Sequence, residues 1–74
     1  MKKSEAKKII HVLFDQWRKE CGFSQTPTYE LSFYDFYDWV QNHYAQVLRF
    51  RTTTSVQFDV EMWFDVHFEQ LMTR

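Results

Sequence analysis

The 74-residue chain is 45% hydrophobic and 26% charged, the composition of one globular domain, which excludes disordered and collagen-like classes. Nine Lys and Arg against ten Asp and Glu leave a net charge of −1, removing any strong global case for phosphate-backbone binding. Eight Phe, four Tyr and three Trp make 20% of the chain, against one Gly and one Pro, and mark a core-building or surface-binding composition. So short a chain often needs a staple or a second protomer, and the lone Cys21 cannot form an internal disulfide.

The first segment, from about Ser4 to Cys21, spaces Ile10, Leu13, Phe14, Trp17 and Cys21 as one helical face. Ser4 is the expected N-cap, and Arg18 and Lys19 complement the helix dipole at the other end. Gly22 suits a left-handed C′ position, from which Phe23 can fold back onto Trp17. Residues 24–28 read as a polar connection containing Pro27.

A second helix is expected over roughly 33–50, opened by Ser32 as N-cap and by a Leu31/Phe36 hydrophobic staple. Phe33, Phe36, Tyr37, Val40, Tyr44, Val47 and Leu48 keep helical spacing along it, with Trp39 and His43 at the margin. The third segment supports two readings. Val56, Phe58, Val60, Met62, Phe64, Val66 and Phe68 alternate as a half-buried strand would. A helix over about 55–72 also fits, with Val56, Val60, Trp63, Phe64, His67, Phe68 and Leu71 in one sector, Gln57, Glu61, Asp65 and Glu69 as a polar stripe, and Thr54 with Gln57 as capping box.

The preferred fold is therefore an all-α three-helix bundle in a single domain, residues 1–74. The alternative is an α+β fold in which residues 56–68 form a strand that needs a second protomer to pair with, giving an intertwined dimer. If the third segment is a helix, Phe58, Met62 and Val66 fall outside its buried sector, and an exposed apolar patch of that kind marks an interface. Trp63 joins these as an interface candidate because Trp dominates binding hot spots. The implied partner is another protein, with a homodimer as one form of it.

Catalytic and cofactor chemistry finds little support. His11 and Cys21 lie ten residues apart on one helix, about 15 Å along its axis, and cannot meet. Cys21 reads as a small buried hydrophobe, and the paired acids as solvated surface. Metal-ligand spacings such as His-x-x-x-His or Cys-x-x-Cys do not occur, and one Gly cannot build a phosphate-cradling loop, so no enzyme, metal or cofactor is expected.

Nucleic acid is the second binding hypothesis. Residues 1–20 carry +3 and the remainder −4, so Lys2, Lys3, Lys7 and Lys8, with Arg49 and Arg51, form the basic set that phosphates would use. Asp59, Glu61, Asp65 and Glu69 on the third segment oppose that use, so the charge distribution disfavours nucleic acid. No apolar run approaches the ~18 residues of a membrane span, and Lys2-Lys3 leads into an amphipathic segment and not a signal-peptide core. With a free thiol, the expected compartment is the cytoplasm.

The stretch Leu48-Arg49-Phe50-Arg51-Thr52-Thr53-Thr54-Ser55-Val56, followed by Asp59-Val60-Glu61-Met62-Trp63-Phe64-Asp65, resembles small accessory reading frames of lambda-like enterobacterial phages and prophages. The resemblance covers about the last third of the chain and carries no activity with it. It implies a cytoplasmic accessory protein that modulates a host or defence protein by binding it.

Overall fold

The computed structural model describes residues 1–68, and their order is α1 (Lys3–Glu20), a 3-10 turn (Thr28–Glu30), α2 (Phe33–His43), a second 3-10 turn (Ala45–Leu48) and α3 (Val56–His67). No strand occurs among the described residues, so the all-α three-helix reading holds. The strand reading of 56–68 is corrected to a helix ending at His67, with Phe68 as its C-cap, and the intertwined dimer that depended on a strand loses its basis. Leu71 and Glu69 lie outside the described residues.

Each helix follows from local chemistry. α1 buries Ala6, Ile10, Leu13, Phe14 and Trp17, an i, i+4, i+7, i+8, i+11 stripe. Its C-terminus is a Schellman stop: the Phe23 N–H donates to the Arg18 carbonyl at 2.7 Å while Gly22 takes φ 78°. Phe23 then rests on Trp17, ring centroids 5.1 Å apart, as the sequence suggested. Arg18 secures the following loop by donating to the carbonyls of Phe23, Ser24 and Thr26, at 3.3, 3.3 and 2.9 Å. The helix start differs from expectation. Lys2 and not Ser4 occupies the N-cap, without a side-chain cap. Cys21 is the C-cap residue and is exposed, so its assignment as a buried hydrophobe is corrected.

Ser32 caps α2 as read from the sequence, its hydroxyl accepting from the Asp35 N–H at 3.4 Å. The helix is shorter than the expected 33–50. Tyr44 leaves helical geometry at φ −140°, ψ 43°, and the chain continues as the 3-10 turn Ala45–Leu48. That tighter turn still buries Val47, and Phe50 follows it into the core. Periodicity alone therefore could not locate the break. On α3 the cap is Ser55, which accepts from the Phe58 N–H at 3.0 Å, and not Thr54.

α1 packs against α2, α3 and the second 3-10 turn, and α2 against α3. At their junction lies an aromatic core. Phe14 meets Phe36 at 4.7 Å, Phe68 at 5.4 Å and Phe64 at 5.8 Å between centroids, while Phe36 meets Trp17 at 5.4 Å and Phe33 meets Phe64 at 5.6 Å. Such tilted and edge-on pairs add to area burial. Large rings are what let three short helices close a core; the radius of gyration is 11.9 Å, against about 11 Å for a compact chain of this length.

Candidate functional site

Two surfaces gather the residues that the sequence singled out. The first is the outer face of α3. Phe58, Met62 and Val66 are 51%, 38% and 62% exposed, spaced four apart over about 12 Å of helix. The exposure expected of them on a helix is observed. Trp63 differs from the other three: it is half-buried and stacks on Phe50 with centroids 5.6 Å apart and planes 27° apart, so it forms the margin of the row and supports the core.

Acids flank that row, and their burial was not foreseen. Asp59 and Asp65 are buried, whereas a solvated stripe was expected through Asp65; Gln57 is exposed and Glu61 half-buried. Asp59 is the better defined. It accepts hydrogen bonds from the Thr52 hydroxyl and, at 2.6 Å, from the Thr54 hydroxyl, and pairs with the Lys3 ammonium at 3.3 Å. Burial alone would raise its carboxyl pKa, but the hydrogen bonds from Thr52, Thr54 and Lys3 and the Lys3 charge outweigh it and hold the pKa below the usual carboxylate value. One side chain thus ties the N-terminus of α1 and the 52–54 loop to the first turn of α3. The sequence signal is Thr52-x-Thr54 with an acid five positions after Thr54, whereas the expected capping box takes in only Thr54, with Gln57.

The second surface is a cleft of about 570 Å³ beside the N-terminus of α1, lined by Met1, Lys2, Lys3, Glu5, Arg49 and Arg51. Of the six basic residues assigned to phosphate contact, the fold brings four together here. Lys7 and Lys8 are exposed but do not line the cleft. The two arginines flank Phe50, which is buried against Trp63, so a core anchor fixes the segment from which both project. Lys3 is engaged by Asp59 and Thr52.

A third cluster joins α1 to the end of α3. The Nδ1 atoms of His11 and His67 are 3.2 Å apart, and His67 Nε2 lies 3.3 Å from Asp15 Oδ1. Burial lowers the His11 pKa from its ordinary value of 6.5, the charges of His67 and Lys7 lower it further, and Asp15 opposes them. Two imidazoles that share one contact at this distance hold it best when one is neutral and accepts. The sequence placed His67 in the buried sector but gave no sign of this pairing. Among the described residues no group of three or more His, Cys, Asp or Glu converges as metal ligands, and no helix is long and apolar enough to cross a membrane.

These features define a small all-α three-helix domain with an apolar row on one helix and a basic cleft at one end. Compared with known proteins, the chain matches no family model, no curated protein and no solved structure.

Proposed function

We propose that the chain is a non-enzymatic binding domain whose partner is another protein, contacted through Phe58, Met62 and Val66 with Trp63 at the margin. The observation that carries this reading is the exposed row itself. Val56, Val60, Phe64 and Phe68 place α3 against the core, so the opposite row is not needed for folding. A large aromatic and a Met in solvent weaken solubility unless a surface covers them, and these are residue types that fill partner pockets. The likeness of residues 48–65 to phage accessory frames directs the search to a bacterial host or defence protein in the cytoplasm, with a second copy of the chain as the other candidate.

A photo-reactive phenylalanine analogue at Phe58, compared with one at Gln57 on the polar side of the same helix, tests the reading. A discrete adduct at position 58 and none at 57 is the expected outcome, and its mass distinguishes a self-adduct from a foreign protein. Equal labelling at both positions, or none at either, contradicts it.

A further inference from the structure

The basic cleft offers a second site, independent of the α3 row. Lys2, Arg49 and Arg51 line it, and their side chains engage in no hydrogen bond or ion pair among the described residues, while Lys3 is held on its wall by Asp59 and Thr52. Glu5 offsets one charge, leaving two uncompensated positive charges from two separate segments facing one cavity. Like charges gathered without counter-charges repel, a cost that the fold sustains by anchoring Phe50 on Trp63 and the 52–54 loop on Asp59. The cleft's volume, about 570 Å³, falls in the range that small-ligand sites occupy.

We propose that this cleft binds a phosphate group, held by the Arg49 and Arg51 guanidinium groups with Lys2 as the third cation. Phosphate fits better than carboxylate because a doubly charged group matches the net +2, and two guanidinium forks can each present paired N–H donors to its oxygens. α1 begins here without a side-chain cap, so its dipole adds to the positive potential. Lys7 and Lys8, outside the cleft, have no part in binding.

The phosphate has two chemical sources, a small di- or triphosphate and the backbone of a nucleic acid strand. Titration of the full chain at low salt with inorganic pyrophosphate, with adenosine diphosphate and with a 15-nucleotide single strand separates them. Saturable binding of at least one probe is expected. An Arg49→Ala/Arg51→Ala variant is expected to weaken it at least tenfold, while Lys8→Ala/Lys19→Ala, which removes the same charge elsewhere on the surface, leaves it within about twofold, and both variants keep the wild-type circular dichroism spectrum. Binding of pyrophosphate or the nucleotide assigns the site to a small ligand. Binding of the strand alone, with log K falling against log salt at a slope near −0.7 per phosphate neutralised, assigns it to a backbone. The proposal is overturned if no probe binds at millimolar concentration, or if the two double variants weaken binding equally, which would show only general charge attraction.

Discussion

Replacing Asp59 with alanine removes the acceptor on which two hydroxyls and one ammonium converge, and leaves Thr52, Thr54 and Lys3 to find water. Hydrogen bonds to a charged group contribute about 1.5–3 kcal/mol each. Lys3 is half exposed, so its share is screened to about 0.5 kcal/mol. Taking the lower figure for each of the two hydroxyls, because they act as one network, and adding the screened Lys3 share, Asp59→Ala costs about 3.5 kcal/mol and the isosteric Asp59→Asn about half that. For a chain of this length, with a total stability of about 4–11 kcal/mol, either loss is readily measured by urea unfolding followed by circular dichroism. A cycle with Thr54→Val gives a coupling energy of about 1–2 kcal/mol. Acid supplies an internal check. The Asp59 pKa is lowered in the folded state, so its contribution is present above about 3.8 and is lost as pH falls through the lower folded value; Asp59→Asn removes that dependence. A loss below about 1 kcal/mol for Asp59→Ala at unchanged m-value would refute the view that this carboxylate ties the start of α1 and the 52–54 loop to α3.

Gly22 has φ 78° with open space around it, so Gly22→Ala is expected to cost about 1–2 kcal/mol from backbone strain alone, without altering the spectrum of the folded state; a neutral effect on the unfolding midpoint would contradict the Schellman assignment. The lowered His11 pKa makes the unfolded chain bind the extra proton first, so the stabilisation is complete above about pH 6.5 and declines as pH falls below it. In His11→Gln the stability curve below pH 6.5 flattens, and an unchanged slope would assign the acid sensitivity elsewhere. Exposed Cys21 is expected to react with a thiol reagent in the native state as fast as in urea, and a native-state lag would mean that the helix end closes over it.

What the sequence made legible was mostly local. The Ser32 cap, the Gly22 stop and the return of Phe23 onto Trp17 depend on neighbours within a few positions, and each took the form that those neighbours dictate. The ambiguity of the third segment has a geometric origin. Val56, Val60, Phe64 and Phe68 form one i, i+4 row and Phe58, Met62 and Val66 a second, offset by two, so that two opposite faces of a helix interleave into perfect β-like alternation. An amphipathic helix would have shown only the first row; the second is the part of the sequence that the fold does not explain.

Other features depended on tertiary contacts. α2 ends at His43 although Tyr44, Val47 and Leu48 prolong the apolar spacing, since no Gly or Pro marks the break and the Tyr44 hydroxyl is engaged by Gln16 of α1 at 3.0 Å. Asp59 read as a surface acid because its partners Thr52 and Thr54 come from the preceding loop and Lys3 from the far end of the chain. Of the six basic residues singled out in the sequence, Lys2, Lys3, Arg49 and Arg51 line one cleft, whereas Lys7 and Lys8 are exposed outside it, a grouping that depends on the fold and not on spacing.

The central claim is that the exposed row of α3 is kept for binding and not for folding. Met62→Asp, introduced into the chain carrying the photo-reactive group at Phe58, tests it when unfolding free energy and cross-link yield are measured on the same preparations. Stability within about 0.5 kcal/mol of the parent, as for a surface substitution, together with at least a tenfold loss of adduct is the result predicted. A stability loss of several kcal/mol, or an undiminished adduct, would contradict it.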